Sequence, residues 1–233
     1  MKTILAAIMA SKREYAKLPF FSFLKDEALT PEQRLSFYPC MAHFIISFGD
    51  LNKYILRSEP ARDEFHHWRS YLEDFRKLGF ERPRTGADWL EFLWSDETHV
   101  NRLLSYRLVN LILNASSVQR LLIIEAIEEI GGVLFSLTAR LAGRVQERNG
   151  VELRYLGDFH FSLESGRKDE IELDEEERRK TSQMVEEVFR IFTEWTGELL
   201  RFAVADVYGT SPALRRTRPF IRASMRRATT PAG

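Results

Sequence analysis

Cysteine is almost missing from this chain of 233 residues. Cys40 stands alone, which excludes an intramolecular disulfide and suits a reducing, cytoplasmic setting. An excess of charge of either sign is missing too. The 34 basic and 34 acidic residues cancel, leaving no global field to draw in nucleic acid or an anionic membrane. No apolar run approaches the roughly 20 residues that a membrane-spanning helix needs. The N-terminal run, Ile4 to Ala10, covers only seven residues before Ser11-Lys12-Arg13-Glu14-Tyr15, so it reads as a helix packed on the body and not as a signal peptide. Strand signals, fixed-period repeats and low-complexity stretches are also wanting. What remains, 44% hydrophobic and 29% charged, is an ordinary globular composition on a chain long enough for one well-buried domain.

Helical punctuation, by contrast, recurs. Thr30-Pro31-Glu32 reads as an N-cap, a proline at the first helical position and an acidic first turn. It opens an apolar and aromatic segment through Leu56, in which Pro39 marks a kink or a start. Ser58-Glu59-Pro60 closes that segment, and Pro60 to Leu78 is the next helix, with Gly79 as its C-cap. Thr85 to Asp88 cap a short helix through Trp94, and another runs from Ser95-Asp96-Glu97 to about Asn114. Ser116 and Ser117 cap a longer helix from Val118 to about Glu147, and Asn149-Gly150 is a turn. Asp174 caps the last helix, Glu175 to about Tyr208, which ends at Gly209. The expectation is an all-α, single-domain bundle of about seven helices over residues 1–211, followed by a basic, flexible tail over residues 212–233. Arg215, Arg216, Arg218, Arg222, Arg226 and Arg227 lie in that tail, beyond the last acidic residue, Asp206. A solvated terminus is the ordinary reading, and an anion- or partner-binding arm the sharper one.

The candidate chemistry rests on Tyr155 to Arg167. There His160, Glu164 and Arg167 stand at i, i+4 and i+7, within one narrow sector of a helical face. His and Glu so placed are able to grip one metal ion, and Arg is not. A second set lies in Asp63-Glu64-Phe65-His66-His67-Trp68, where Glu64 with His67, and Asp63 with His66, are spaced i, i+3. Carboxylate-imidazole pairs on facing helices are how helical bundles hold non-haem iron or manganese, hard oxygen joined to a nitrogen that transition metals favour. Singly, each histidine is more simply a core or half-exposed residue. Glu64/His67 together with His160/Glu164 form a candidate metal site, because such groups on apolar helices are costly to bury without purpose.

The pattern His160-x3-Glu164-x2-Arg167 resembles the His-x3-Asp/Glu-x2-His signature on a late core helix of the haem-oxygenase-like di-iron oxidases and oxygenases. Glu64-x2-His67 is similar to their earlier Glu/His helix, and the separation of 93 positions between His67 and His160 suits the same family. Thr30-Pro31-Glu32-Gln33 and the aromatic stretch Phe37 to Phe44 resemble the broader superfamily of TenA-type thiaminases and PqqC-type oxidases. The resemblance implies a seven-helix haem-oxygenase-like fold. In its iron-using members, ferrous ions and dioxygen oxidise an amino-acid, fatty-acid or related small substrate. Glu64, His67, His160 and Glu164 are then the implied ligands, with a further carboxylate or imidazole sought at Glu32 or His43. Asp63 and His66 remain further candidates. Arg167 departs from the pattern, since a permanently charged guanidinium does not coordinate. Three outcomes stay open: one metal instead of two, Arg167 paired with Glu164 or a substrate carboxylate, or a vacant site.

Three further features are singled out. Gly131-Gly132 inside the long helix implies a tight helix crossing, or a close approach to a ligand of the kind seen in haem oxygenase. Of Glu125, Glu128 and Glu129, the last two are expected at solvent and Glu125 is the candidate ligand. Cys40 is expected to pack and not to act as a nucleophile. The functional expectation is a cytoplasmic non-haem iron enzyme, with ferrous iron or manganese, acting with dioxygen on a small carboxylate-bearing metabolite; bundles of this kind often form homodimers. The alternatives are a metal-free bundle that binds a ligand or partner in a cavity lined by Phe44, Phe48, Phe159 and Trp195, and a cofactor-free oxidase or hydrolase with His160 as general base and Arg167 binding a substrate acid.

Overall fold

The computed structural model describes residues 2–55, 67–80, 85–157 and 173–209. Helix α1, Lys2–Tyr15, docks through Ile4 and Ile8, each 1% exposed. Burial of such side chains contributes roughly 1.5–3 kcal/mol each, enough to hold a helix too short to be stable alone. Helix α2, Pro19–Lys25, starts on its proline and buries Phe20, Phe21 and Leu24. Its seven residues are too few to display a helical period, and the sequence alone assigns this segment nothing.

The segment expected to run from Pro31 through Leu56 is divided. Helix α3, Pro31–Arg34, is one turn closed by a capping box: the Gln33 amide donates to the Thr30 hydroxyl (3.2 Å) and the Thr30 amide to the Gln33 side-chain oxygen (2.8 Å). A 3-10 turn, Tyr38–Met41, follows, and α4 occupies Ala42–Ile55. Pro39 explains the break, because it lacks an amide hydrogen and its ring bars an α-turn from passing through.

Helix α5 is His67–Lys77, with Gly79 beyond its end at φ +77. The earlier part of the helix expected from Pro60 lies outside the described residues. Helix α6, Gly86–Trp94, carries the expected Thr85/Asp88 box. Helix α7, His99–Leu113, begins later than expected because Asp96–Thr98 forms a 3-10 turn. Helix α8, Ser117–Asn149, has a Ser116/Gln119 box and closes on left-handed Gly150, and α9, Glu175–Tyr208, has an Asp174/Glu177 box and closes on left-handed Gly209. Among the described residues eight α-helices exceed a single turn and no strand is present, so the bundle is all-α with slightly more helices than expected. None of the described helices is long and apolar enough to cross a membrane. The boundary at 211 and the arginine-rich tail lie outside the described residues.

Helix α9 packs against α1, α2, α7 and α8, and its buried series from Val185 through Phe189, Phe192, Trp195, Leu199 and Phe202 forms a broad stripe. Helix α4 packs on α5 and α7. The Phe44 amide donates to Asn101 Oδ1 (2.9 Å), and one turn further along both helices the Ser47 and Ser105 hydroxyls pair at 2.6 Å. The start of α7 is capped from across the bundle. Thr98, at its N-cap, turns its hydroxyl to the carbonyls of Phe92 and Leu93 in α6, and the Glu198 carboxylate of α9 accepts the Val100 and Asn101 amides, each at 2.7 Å. These are orphan donors of the first turn, at the positive end of the helix dipole.

Candidate metal centre

Of the four implied ligands, His67 lies in the described residues; Glu64, His160, Glu164 and Arg167, with Asp63 and His66, lie outside them. His67 opens α5. Tyr71 and Asp74 follow at i+4 and i+7, so the three share a face. Tyr71 and Asp74 are fully buried and His67 is half-buried.

That face meets the chain emerging from α8. Tyr155 is the centre of contact: its ring is 6.5 Å from that of His67 (interplanar 70°), 5.6 Å from Tyr71, 6.3 Å from Tyr38 and 5.6 Å from Phe135. Tyr38 and Tyr71 stack at 4.5 Å and exchange hydrogen bonds, each hydroxyl donating to the other's backbone carbonyl, at 3.1 and 2.8 Å. This satisfies both phenols in the core and locks α5 to the 3-10 turn. Burial pushes His67 below its usual value, toward the neutral imidazole that binds transition metals.

Asp74 supplies the polar half of the seam. Its carboxylate accepts the Arg154 amide at 2.7 Å and the Leu156 amide at 3.0 Å. Burial pushes this carboxyl up, and the amides of Leu156, Arg154 and Tyr155 pull it back toward ionisation. The turn then closes at Gly157, where a Cβ would stand 2.3 Å from the Leu153 carbonyl oxygen. On the exposed side, Lys77 Nζ donates to the Glu152 carbonyl at 2.8 Å. The chain continues toward His160 three residues later.

No protein-family model matches this chain, and no curated protein matches it. Among the described residues no three His, Cys, Asp or Glu side chains converge as a metal ion would require. The supplementary candidates are in separate places. Glu32 accepts from Asn149 Nδ2 (2.7 Å) and pairs with Arg148 (3.5 Å), tying α3 to the end of α8. His43 packs its ring near Trp94 (5.9 Å) and Tyr106 (6.4 Å).

Glu125, Glu128 and Glu129 together line a surface cleft of about 450 Å³ with Lys12, Lys25 and Gly132, and all three are half-buried. Both Glu128 and Glu129 thus reach the surface, as expected, and Glu129 also pairs with Lys12 of α1. Helix α8 runs unbroken through Gly131 and Gly132, and a Cβ on Gly132 would lie 3.8 Å from Lys12 Nζ, an ordinary contact. A tight crossing does not explain the glycine. Cys40 is buried, with Sγ 3.6 Å from the Glu97 carbonyl and 3.9 Å from Glu198 Oε2; burial first, then Glu198 and Glu97, push its thiol up and keep it protonated, as packing requires. Phe44 meets Phe48, Phe192 and Trp195 edge-on at 5.4 to 5.7 Å, in a packed cluster.

Two buried carboxylates, Asp74 and Glu198, escape the sequence analysis. Each had a signal: Asp74 stands between Tyr71 and Phe75, and Glu198 between Trp195 and Leu199, on the apolar faces of their helices. A carboxylate in such a position needs donors, and here both take them from backbone amides.

Proposed function

We propose that the protein is a non-haem iron oxidase or oxygenase on a haem-oxygenase-like bundle, with manganese as the alternative ion. Its co-substrates are dioxygen and a small carboxylate-bearing metabolite. His67 is the ligand from α5, and Glu64, His160 and Glu164 complete the set. Arg167 serves a carboxylate, either that of Glu164 or that of the substrate. The observation that carries the reading is the seam between α5 and the chain after α8. It sets His67 against Tyr155, and in the sequence His160 follows Tyr155 by five positions.

The residues present fit the ion as far as His67 speaks to it. The imidazole is half-buried, pushed toward its neutral form, and set edge-on to the ring of Tyr155. Bound iron would supply one-electron chemistry toward dioxygen; the chain's part is to hold the ion and orient the acid. Protein purified without chelator should carry iron or manganese, and ferrous-loaded protein should consume dioxygen faster with some members of a panel of amino and fatty acids than without. A protein that takes up neither ion sinks the reading and leaves the metal-free, ligand-binding bundle in its place.

A further inference from the structure

We infer that the outer face of α7 is a docking surface for a second copy of this chain, the two α7 helices pairing antiparallel about a two-fold axis. The inference stands apart from the iron reading. Helix α7 is apolar on two opposite faces. Asn101, Leu104, Leu108 and Ile112 form the face turned to the core, and Leu103, Tyr106, Asn110 and Leu113 form a second stripe, also spaced by threes and fours, on the side away from it. A helix at the surface of a lone molecule ordinarily turns charge to water, as α9 does with Glu186, Arg190, Glu194 and Arg201. In the α7 stripe Tyr106 is 62%, Leu113 57% and Leu103 39% exposed, and beside it Trp94 of α6 is 59% and Ile46 of α4 46% exposed. Trp94 and Tyr106 both meet the His43 ring, at 5.9 and 6.4 Å, and Arg102 stands 5.9 Å over Trp94, so the patch is continuous across three helices.

Area, charge and spacing all favour a second copy as the occupant. The exposed parts of these five apolar side chains come to roughly 600 Å² on each copy, at the top of what a monomer leaves bare, and a two-fold pair covers about 1,200 Å², the size at which specific interfaces begin. Neither copy presents net charge to the other: the chain is neutral, the stripe holds no ionised group, and at its α9 edge Arg107 and Arg190 pair with Glu187 and Glu194. The stripe is also self-complementary. Positions 103 and 113, and positions 106 and 110, lie symmetrically about 108. An antiparallel pair centred there sets Leu103 on Leu113 of the second copy and Tyr106 on its Asn110, a phenol and an amide able to share a hydrogen bond.

Sedimentation equilibrium of the full-length protein should give about twice 27.2 kDa, with a dimer Kd of about 10 μM or tighter. Leu103→Glu and Leu113→Lys should each weaken that dimer at least about tenfold while leaving Tm and helical circular dichroism near wild type, because both side chains are exposed. Mixing the two variants should restore the dimer, since the antiparallel pair then sets an acidic side chain on a basic one at one contact and leucine on leucine at the other. Should either variant fail to fold, Tyr106→Ser takes its place and should also weaken the dimer about tenfold. A monomeric wild type overturns the inference, whether the stripe is then covered by another part of this chain or by a different protein. So does a dimer that these variants leave unweakened, or, where both charge variants fold, one that mixing fails to restore.

Discussion

Burial lowers the proton affinity of the two half-buried imidazoles among the described residues. His67 is pushed down by burial, and His43 by burial and then by the charge of Arg102. Each therefore has a folded-state value below the 6.5 of the free group, so the folded chain binds fewer protons than the unfolded one. Their contribution to stability is complete above 6.5 and is lost as pH falls through the depressed folded values. Asp74 and Glu198 have the opposite sign. Burial raises both, so their ionised forms cost stability above the carboxylate range and that cost is relieved on acidification. The histidine contribution to the Tm of chelator-treated protein should therefore fall as pH drops from about 7 to about 5.5. His43→Gln should flatten the slope. A pH dependence of Tm that His43→Gln leaves unchanged contradicts the burial assigned to that ring.

Two glycines show opposite demands at the level of the helix and the turn. Gly132 is in mid-helix with room for a methyl, so Gly132→Ala should stabilise α8 by about 1 kcal/mol, seen as a rise of roughly 2–4 °C in Tm. Gly157 has no room, because the obstructing atom is the Leu153 carbonyl oxygen in the same turn. Gly157→Ala should cost about 2 kcal/mol or more, read as a lower midpoint in urea. The sequence alone separates these elements unevenly. Thr30, Thr85, Ser116 and Asp174 were legible as helix starts because a cap and its partner lie three residues apart, so the whole device is local. The turn at 153–157 was not legible: its shape depends on Asp74, far away in sequence, and on one backbone contact. Helix α2 was missed because it is held by burial of Phe20, Phe21 and Leu24 and not by its own pattern.

At the scale of the molecule, the bundle is organised by two buried carboxylates that join elements distant in sequence. Glu198 of α9 caps α7, and Asp74 of α5 holds the chain leaving α8. Helical spacing revealed which residues share a face, which is why His67 and the His160/Glu164 pair stood out as chemistry. It did not reveal which face meets which, and so gave no sign that Tyr155 would dock on His67 or that Glu32 and His43 would be engaged elsewhere. As proposed, His67 of α5 and His160 in the sequence beyond α8 serve one metal ion. Anaerobic ferrous titration of wild type, His67→Ala and His160→Ala tests it most directly. The account predicts tight binding of about one or two equivalents by wild type and a loss of at least about tenfold in affinity in each variant. Binding of neither iron nor manganese by wild type, or binding unchanged by His67→Ala, would contradict it.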